Sequence, residues 1–136
     1  MAIPLNKLVG MASELESKLK EQGIHDSDQL LDACRTPHER SELAKHCGLT
    51  RPKLLALADR ADLARIHGVG GVLSDLLEHI NGVKTVPDLA KQRPEHLHSE
   101  LEDLIEQKKI KLVGRAPSFE LVKDWIKQAK ALEKIL

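Results

Sequence analysis

Two stretches of this chain repeat one pattern 58 residues apart. Leu8-Val9-Gly10-Met11-Ala12-Ser13-Glu14-Leu15 aligns with Ile66-His67-Gly68-Val69-Gly70-Gly71-Val72-Leu73, and the same offset pairs Leu19 with Leu77. One inserted residue then brings Gly23-Ile24 onto Gly82-Val83 and Leu30 onto Leu89. Further on, Pro37 meets Pro94, and Ser41-Glu42-Leu43 meets Ser99-Glu100-Leu101. A duplicated unit buries its apolar face against its neighbour, so the fold is constrained before any single element is assigned. The 136 residues are expected to form one compact domain of two repeats, about 5–65 and 66–136.

The elements inside each repeat read as helices. Leu15 and Leu19 carry helical spacing up to Gly23, a C-terminal stop. Ser27-Asp28 and Thr85-Val86-Pro87-Asp88 mark short second helices, with Pro accepted in a first turn. Thr36-Pro37-His38-Glu39 and Pro94 begin third helices, the former with capping-box spacing. Thr50-Arg51-Pro52 opens a long helix to about Arg65. Its counterpart starts at Ser118 and is expected to run to the C-terminus, with Leu57 and Trp125 in equivalent places. Lys108–Gly114 alternates weakly and reads as an extended connector, and no sheet can be built from it.

Composition removes several classes of function. No apolar run exceeds about five residues, short of the ~20 that a spanning helix needs. Two Cys make no disulfide framework, and Met1–Gly10 lacks the apolar run of a signal peptide, so a cytoplasmic location is expected. With one Phe, one Trp and no Tyr, there is no platform on which single-stranded bases could stack.

The sharpest local signal is Ile66-His67-Gly68-Val69-Gly70-Gly71-Val72-Leu73-Ser74-Asp75-Leu76-Leu77. Apolar, then Gly-apolar-Gly, then an apolar helix face describes a tight hairpin between two helices, with Val69 anchoring the loop. The N–H groups opening the second helix have no partner within it and point outward, as at an anion site. These residues resemble the helix-hairpin-helix superfamily. From roughly Leu8 to Leu132 the layout is similar to a bacterial family of unknown function built from two such units in tandem. The resemblance implies an all-α fold, two helix-hairpin-helix units related by the internal repeat and joined by the long helix at Thr50–Arg65. It also implies sequence-independent contact with duplex DNA across the minor groove, made by hairpin backbone amides and nearby Lys or Arg. Gly68, Gly70 and Gly71 are the candidate phosphate contacts, together with Gly10 of the first repeat.

Two residue patterns depart from that motif. The first hairpin reads Gly10-Met11-Ala12, so its second Gly position is Ala. In the second, no Lys or Arg follows Gly70 until Lys84, while Asp75 and Glu78 sit in the helix that would face phosphate.

Formal net charge is zero, from 21 Lys+Arg and 21 Asp+Glu, yet the charges are segregated. His67 to Gln107 carries three basic and eight acidic residues, a balance of −5, and Lys108 to Leu136 carries eight and three, a balance of +5. In the closing helix Lys123, Lys127, Lys130 and Lys134 recur at 4-3-4, within about 60° of arc. Leu121, Val122, Trp125, Ile126, Ala129 and Leu132 make a separate apolar face. The lysines read either as a solvated face or as a polyanion-binding stripe, joined by Lys108, Lys109, Lys111 and Arg115.

Cys34, His38, His46 and Cys47 fall within 14 residues, but their spacing matches no common zinc pattern, so no metal or other cofactor is expected. Pro87-Asp88 is similar to a segment of hairpin-containing glycosylases, whose Lys after the hairpin is missing here; Asp88 reads instead as a first-turn residue. With no nucleophile triad, phosphate loop or paired carboxylates, the expected function is a non-enzymatic binding module. Duplex DNA is its expected partner, through the hairpin amides and the C-terminal Lys stripe. The alternative is a protein–protein adaptor that uses the helical surfaces around Asp75–Glu106.

Overall fold

Helix starts in this chain are set by side chains that satisfy the first free amides. In the computed structural model, residues 2–80, 82–108 and 117–136 are described. Among them, a short 3-10 turn at Leu5–Lys7 is followed by α1 (Ser13–Glu21), α2 (Ser27–Asp32), α3 (Pro37–Cys47) and α4 (Arg51–Leu63). Then come α5 (Gly70–Glu78), α6 (Val86–Ala90), α7 (Pro94–Lys108) and α8 (Phe119–Ala131). No named strand occurs among the described residues, and the fold is all-α. The proposed connector over Lys108–Gly114 lies outside the described residues, apart from the last residue of α7.

Thr36, Thr50 and Ser118 accept hydrogen bonds on their hydroxyls from the amides of Glu39 (3.1 Å), Lys53 (3.3 Å) and Leu121 (3.2 Å). Caps of this kind contribute about 1 kcal/mol each. Asp88 accepts from the amides of Lys84 and Thr85 at 3.2 Å, which makes it a capping carboxylate of α6. After α1, Ile24 N–H bonds back to Leu19 O (3.0 Å) and Gly23 N–H to Lys20 O (3.0 Å), closing the helix where Gly23 had marked a stop.

α2 begins at Ser27, as the sequence marked, and Asp26 caps it, its carboxylate accepting the Gln29 amide at 2.8 Å. Ser27 is fully buried and otherwise engaged: its hydroxyl accepts the Ile3 amide (2.8 Å), and its own amide donates to Ile3 O (2.9 Å). The closing helix stops at Ala131 instead of running to the C-terminus, with Leu132 extended. The tail turns back because Ile135 and Leu136 pack on the apolar cluster of the first half, and Arg65 Nη2 donates to Glu133 O at 2.9 Å.

The core forms two clusters that meet at α4. Leu54, Leu57, Ala58 and Ala61 pack with Leu15, Leu19, Leu30 and Leu31 in the first. Leu63, Ile66 and Val69 pack with Leu77, Leu89, Leu97, Leu101 and Trp125 in the second. Each fully buried leucine contributes about 1.5–3 kcal/mol; α4 is a main wall of the first cluster and joins the second through Leu63 at its end.

Candidate functional site

Two glycine turns of like geometry stand next to one another. In the second, the chain leaves α4, passes buried Ile66 and exposed His67, and reverses at Gly68, where φ is +96°. Buried Val69 anchors the turn, with its amide on Ile66 O at 3.2 Å, and Gly70 starts α5 without a capping side chain. α8 lies beneath. Gln128 Oε1 accepts the His67 amide (2.8 Å) and Gln128 Nε2 donates to His67 O (3.2 Å). A Cβ on Gly68 would sit 3.1 Å from the Trp125 indole nitrogen, so the turn adopts a backbone that suits glycine over a close neighbour that also excludes a side chain.

The first turn has the same parts. Gly10 has φ +92°, Leu8 anchors it in the core, and α4 lies beneath instead of α8. Arg60 Nη1 donates to Val9 O at 2.7 Å, and a Cβ on Gly10 would meet Arg60 at 3.0 Å and Leu57 at 3.7 Å. Val9 and His67, like Gly10 and Gly68, are 58 residues apart; Leu57 and Trp125, like Arg60 and Gln128, are 68 apart.

Gly71 plays a different part from its neighbours. A Cβ there would fall 1.8 Å from the carbonyl oxygen of Lys7, so the missing side chain lets the first turn of α5 rest on the main chain entering the Gly10 turn. This contact places the backbone of exposed Lys7 beside the start of α5, where the sequence shows no basic residue nearby. Arg60 also reaches α5: its Nη2 lies 3.1 Å from Glu78 and 3.7 Å from Asp75. The two carboxylates that follow the Gly68 turn in sequence are therefore paired with a guanidinium. Neither Lys7 nor Arg60 was singled out by sequence reasoning, because neither contact is local.

The lysines of α8 occupy another direction. Lys123, Lys127 and Lys130 are exposed, with Lys123 3.9 Å from Glu120 and 5.5 Å from the Phe119 ring centre. They lie roughly 100–160° around the helix from Gln128, the residue facing the Gly68 turn. Lys134 lies beyond the helix end, so the four-residue stripe is interrupted. Leu121, expected on the apolar face, is 49% exposed, since Val122, Trp125, Ile126 and Ala129 already fill the second cluster. Lys109, Lys111 and Arg115 lie outside the described residues, as does the Lys108 side chain.

The Cys–His set does not converge. Cys34 and Cys47 are buried while His38 and His46 are exposed. Burial pushes the Cys34 thiol up to about 12 and raises Cys47, which keeps both protonated and inert. Among the described residues, no group of three or more His, Cys, Asp or Glu is arranged to hold a metal ion. No helix among them is long and apolar enough to cross a membrane.

One buried carboxyl is perturbed. Asp59 on α4 is 8% exposed, and desolvation, then the charge of Glu78, push it up to about 6 from its ordinary 3.8, against the pull of Lys84. A carboxyl raised in the folded state contributes stability that is full below its unfolded value and is lost as pH rises through about 6. Replacing Asp59 by Asn is expected to stabilise the protein at pH 8 by about 2 kcal/mol and to have little effect at pH 4. Urea midpoints of both proteins at the two pH values measure this; equal differences at both would refute it.

No curated protein and no solved structure matches the chain. A model of the family described as Domain of unknown function (DUF4332) matches residues 9–132.

Proposed function

The chain belongs to the DUF4332 family, and on that premise we propose that it is a non-enzymatic binding module of two tandem helix-hairpin-helix units that contacts the backbone of duplex DNA without reading sequence. The bacterial, cytoplasmic setting that the resemblance and the cysteine count imply is part of the same proposal. The paired turns support the doubled unit: each has a glycine at positive φ, an apolar residue beneath it and a polar side chain holding the carbonyl just before it.

The observation that carries phosphate contact is the convergence at α5. The Gly68 turn is exposed, the α5 start has no side-chain cap, the Lys7 backbone rests on Gly71, and Arg60 engages Asp75 and Glu78. A helix N-terminus relieved of nearby negative charge suits a phosphate oxygen. Gly68 and Gly70 of the second turn and Gly10 of the first would offer amides. Gly71 would act mainly by bringing the turns together. The lysines of α8 face elsewhere and would at most add long-range attraction.

Fluorescence anisotropy of labelled duplex DNA tests this. Weak binding at low salt is expected, falling steeply as salt rises. Lys7→Glu should weaken it several-fold and reduce the salt slope by about one. No binding at low salt would refute DNA contact. An adaptor role has its own support in Val72, 53% exposed, and Val9, 39% exposed, which follow Gly71 and Lys7 closely in sequence. Under that reading a protein partner is captured in the presence of nuclease and lost on Val72→Asp, with DNA affinity absent throughout.

A further inference from the structure

Two exposed helix stripes carry opposite charge at the same spacing. On α7, Glu95, Ser99, Glu102 and Glu106 recur at 4-3-4, all exposed and opposite buried Leu97 and Leu101. On α8, Lys123, Lys127 and Lys130 recur at 4-3, also exposed. Among the described residues, no ion pair joins one stripe to the other. The pairs they make are local, Glu102 with His98 at 2.9 Å and Lys123 with Glu120 at 3.9 Å. The two stripes follow the segregation of charge along the sequence, where −5 over His67 to Gln107 precedes +5 over Lys108 to Leu136.

We propose that the lysine stripe of α8 docks on the glutamate stripe of α7 in a second copy of this chain. With the two helices antiparallel, Lys123 faces Glu106, Lys127 faces Glu102 and Lys130 faces Ser99. Equal spacing lets the contacts form in one register. α7 and α8 pack against each other within the chain, so a two-fold axis can satisfy both copies' pairings at once and close the assembly as a dimer. A formal net charge of zero leaves no long-range repulsion between copies. Exposed ion pairs are individually weak, so the association is weak and sensitive to salt.

Sedimentation velocity on the nuclease-treated full chain tests the proposal. A concentration-dependent dimer is expected at low salt. Its association constant should fall about tenfold or more between ~10 mM and ~150 mM ionic strength, as the Debye length shrinks from about 30 Å to about 8 Å. Two charge-reversed proteins complete the test, one carrying Glu102→Lys and Glu106→Lys, the other Lys123→Glu and Lys127→Glu. Each alone should be monomeric, since like stripes then face one another, and an equimolar mixture should associate again. Recovery in the mixture also establishes that both variants are folded. A monomeric wild type at low salt, a dimer indifferent to salt, variants that still self-associate, or a mixture that fails to recover would each overturn the proposal.

Discussion

Replacing Asp62 with Ala is expected to destabilise the protein by about 3–5 kcal/mol, a large effect for a single polar substitution. Asp62 is fully buried near the end of α4, and both its oxygens are committed. Oδ2 accepts the Val86 amide at 2.7 Å and so fixes the start of α6. Oδ1 accepts from Arg65 at 2.6 Å and 2.9 Å, and Arg65 in turn holds the C-terminal tail through Glu133 O. Truncation takes this acceptor away from a buried amide and a largely buried guanidinium, and such losses are larger than the net worth of the bonds removed. Asp62→Asn keeps the shape and one acceptor oxygen, so its cost should be well below that of Ala. Equilibrium urea unfolding of the three proteins measures the order. An Ala variant within about 1 kcal/mol of wild type would mean that solvent reaches the site and replaces the carboxylate.

Gly71→Ala should cost roughly 3 kcal/mol, an unusually heavy effect for one methyl group. Alanine is ordinarily the better residue in a helix by about 1 kcal/mol, so propensity alone predicts a gain. Packing reverses the sign, because the added Cβ would fall 1.8 Å from Lys7 O, a backbone atom that cannot swing aside as the end of a side chain can. Gly70 is the internal control. Nothing lies within 4 Å of a Cβ there, although its φ of +62° makes Ala mildly strained. Thermal or urea unfolding should rank Gly71→Ala well below Gly70→Ala. If DNA contact is real, Gly71→Ala should also weaken it by displacing Lys7 from α5. The opposite ranking would show that the two turns are not wedged together.

Much of the fold was legible because the signals were local. Thr36, Thr50 and Ser118 announced their helices through a hydroxyl three residues before an amide, and Gly68-Val69-Gly70 announced a turn through glycines at the two positions of positive φ. What escaped were the partners of those turns. Arg60 reaches Val9 across 51 residues, and Gln128 reaches His67 across 61. Such pairs are decided by how α4 and α8 pack, and no spacing rule records that. The end of α8 escaped for a related reason. The 4-3-4 count of lysines through Lys134 continues the helical period, but Ile135 and Leu136 gain burial on the far cluster only if the helix stops first. Periodicity reports what a segment can do alone, and here tertiary burial prevailed. Asp75 and Glu78 stand as uncompensated charges in the sequence, and their pairing with Arg60 becomes visible only once α4 and α5 are placed.

Because α4 fills the middle of the first cluster, a fragment ending before it would leave Leu19, Leu30 and Leu31 open to water. The second cluster takes Leu63 from the end of α4 and draws its other buried residues from between Ile66 and Ala129, with α8 packed on both α6 and α7. The two interiors therefore depend on α4 unequally: cutting the chain before α4 should open the first, while the second keeps most of its own walls.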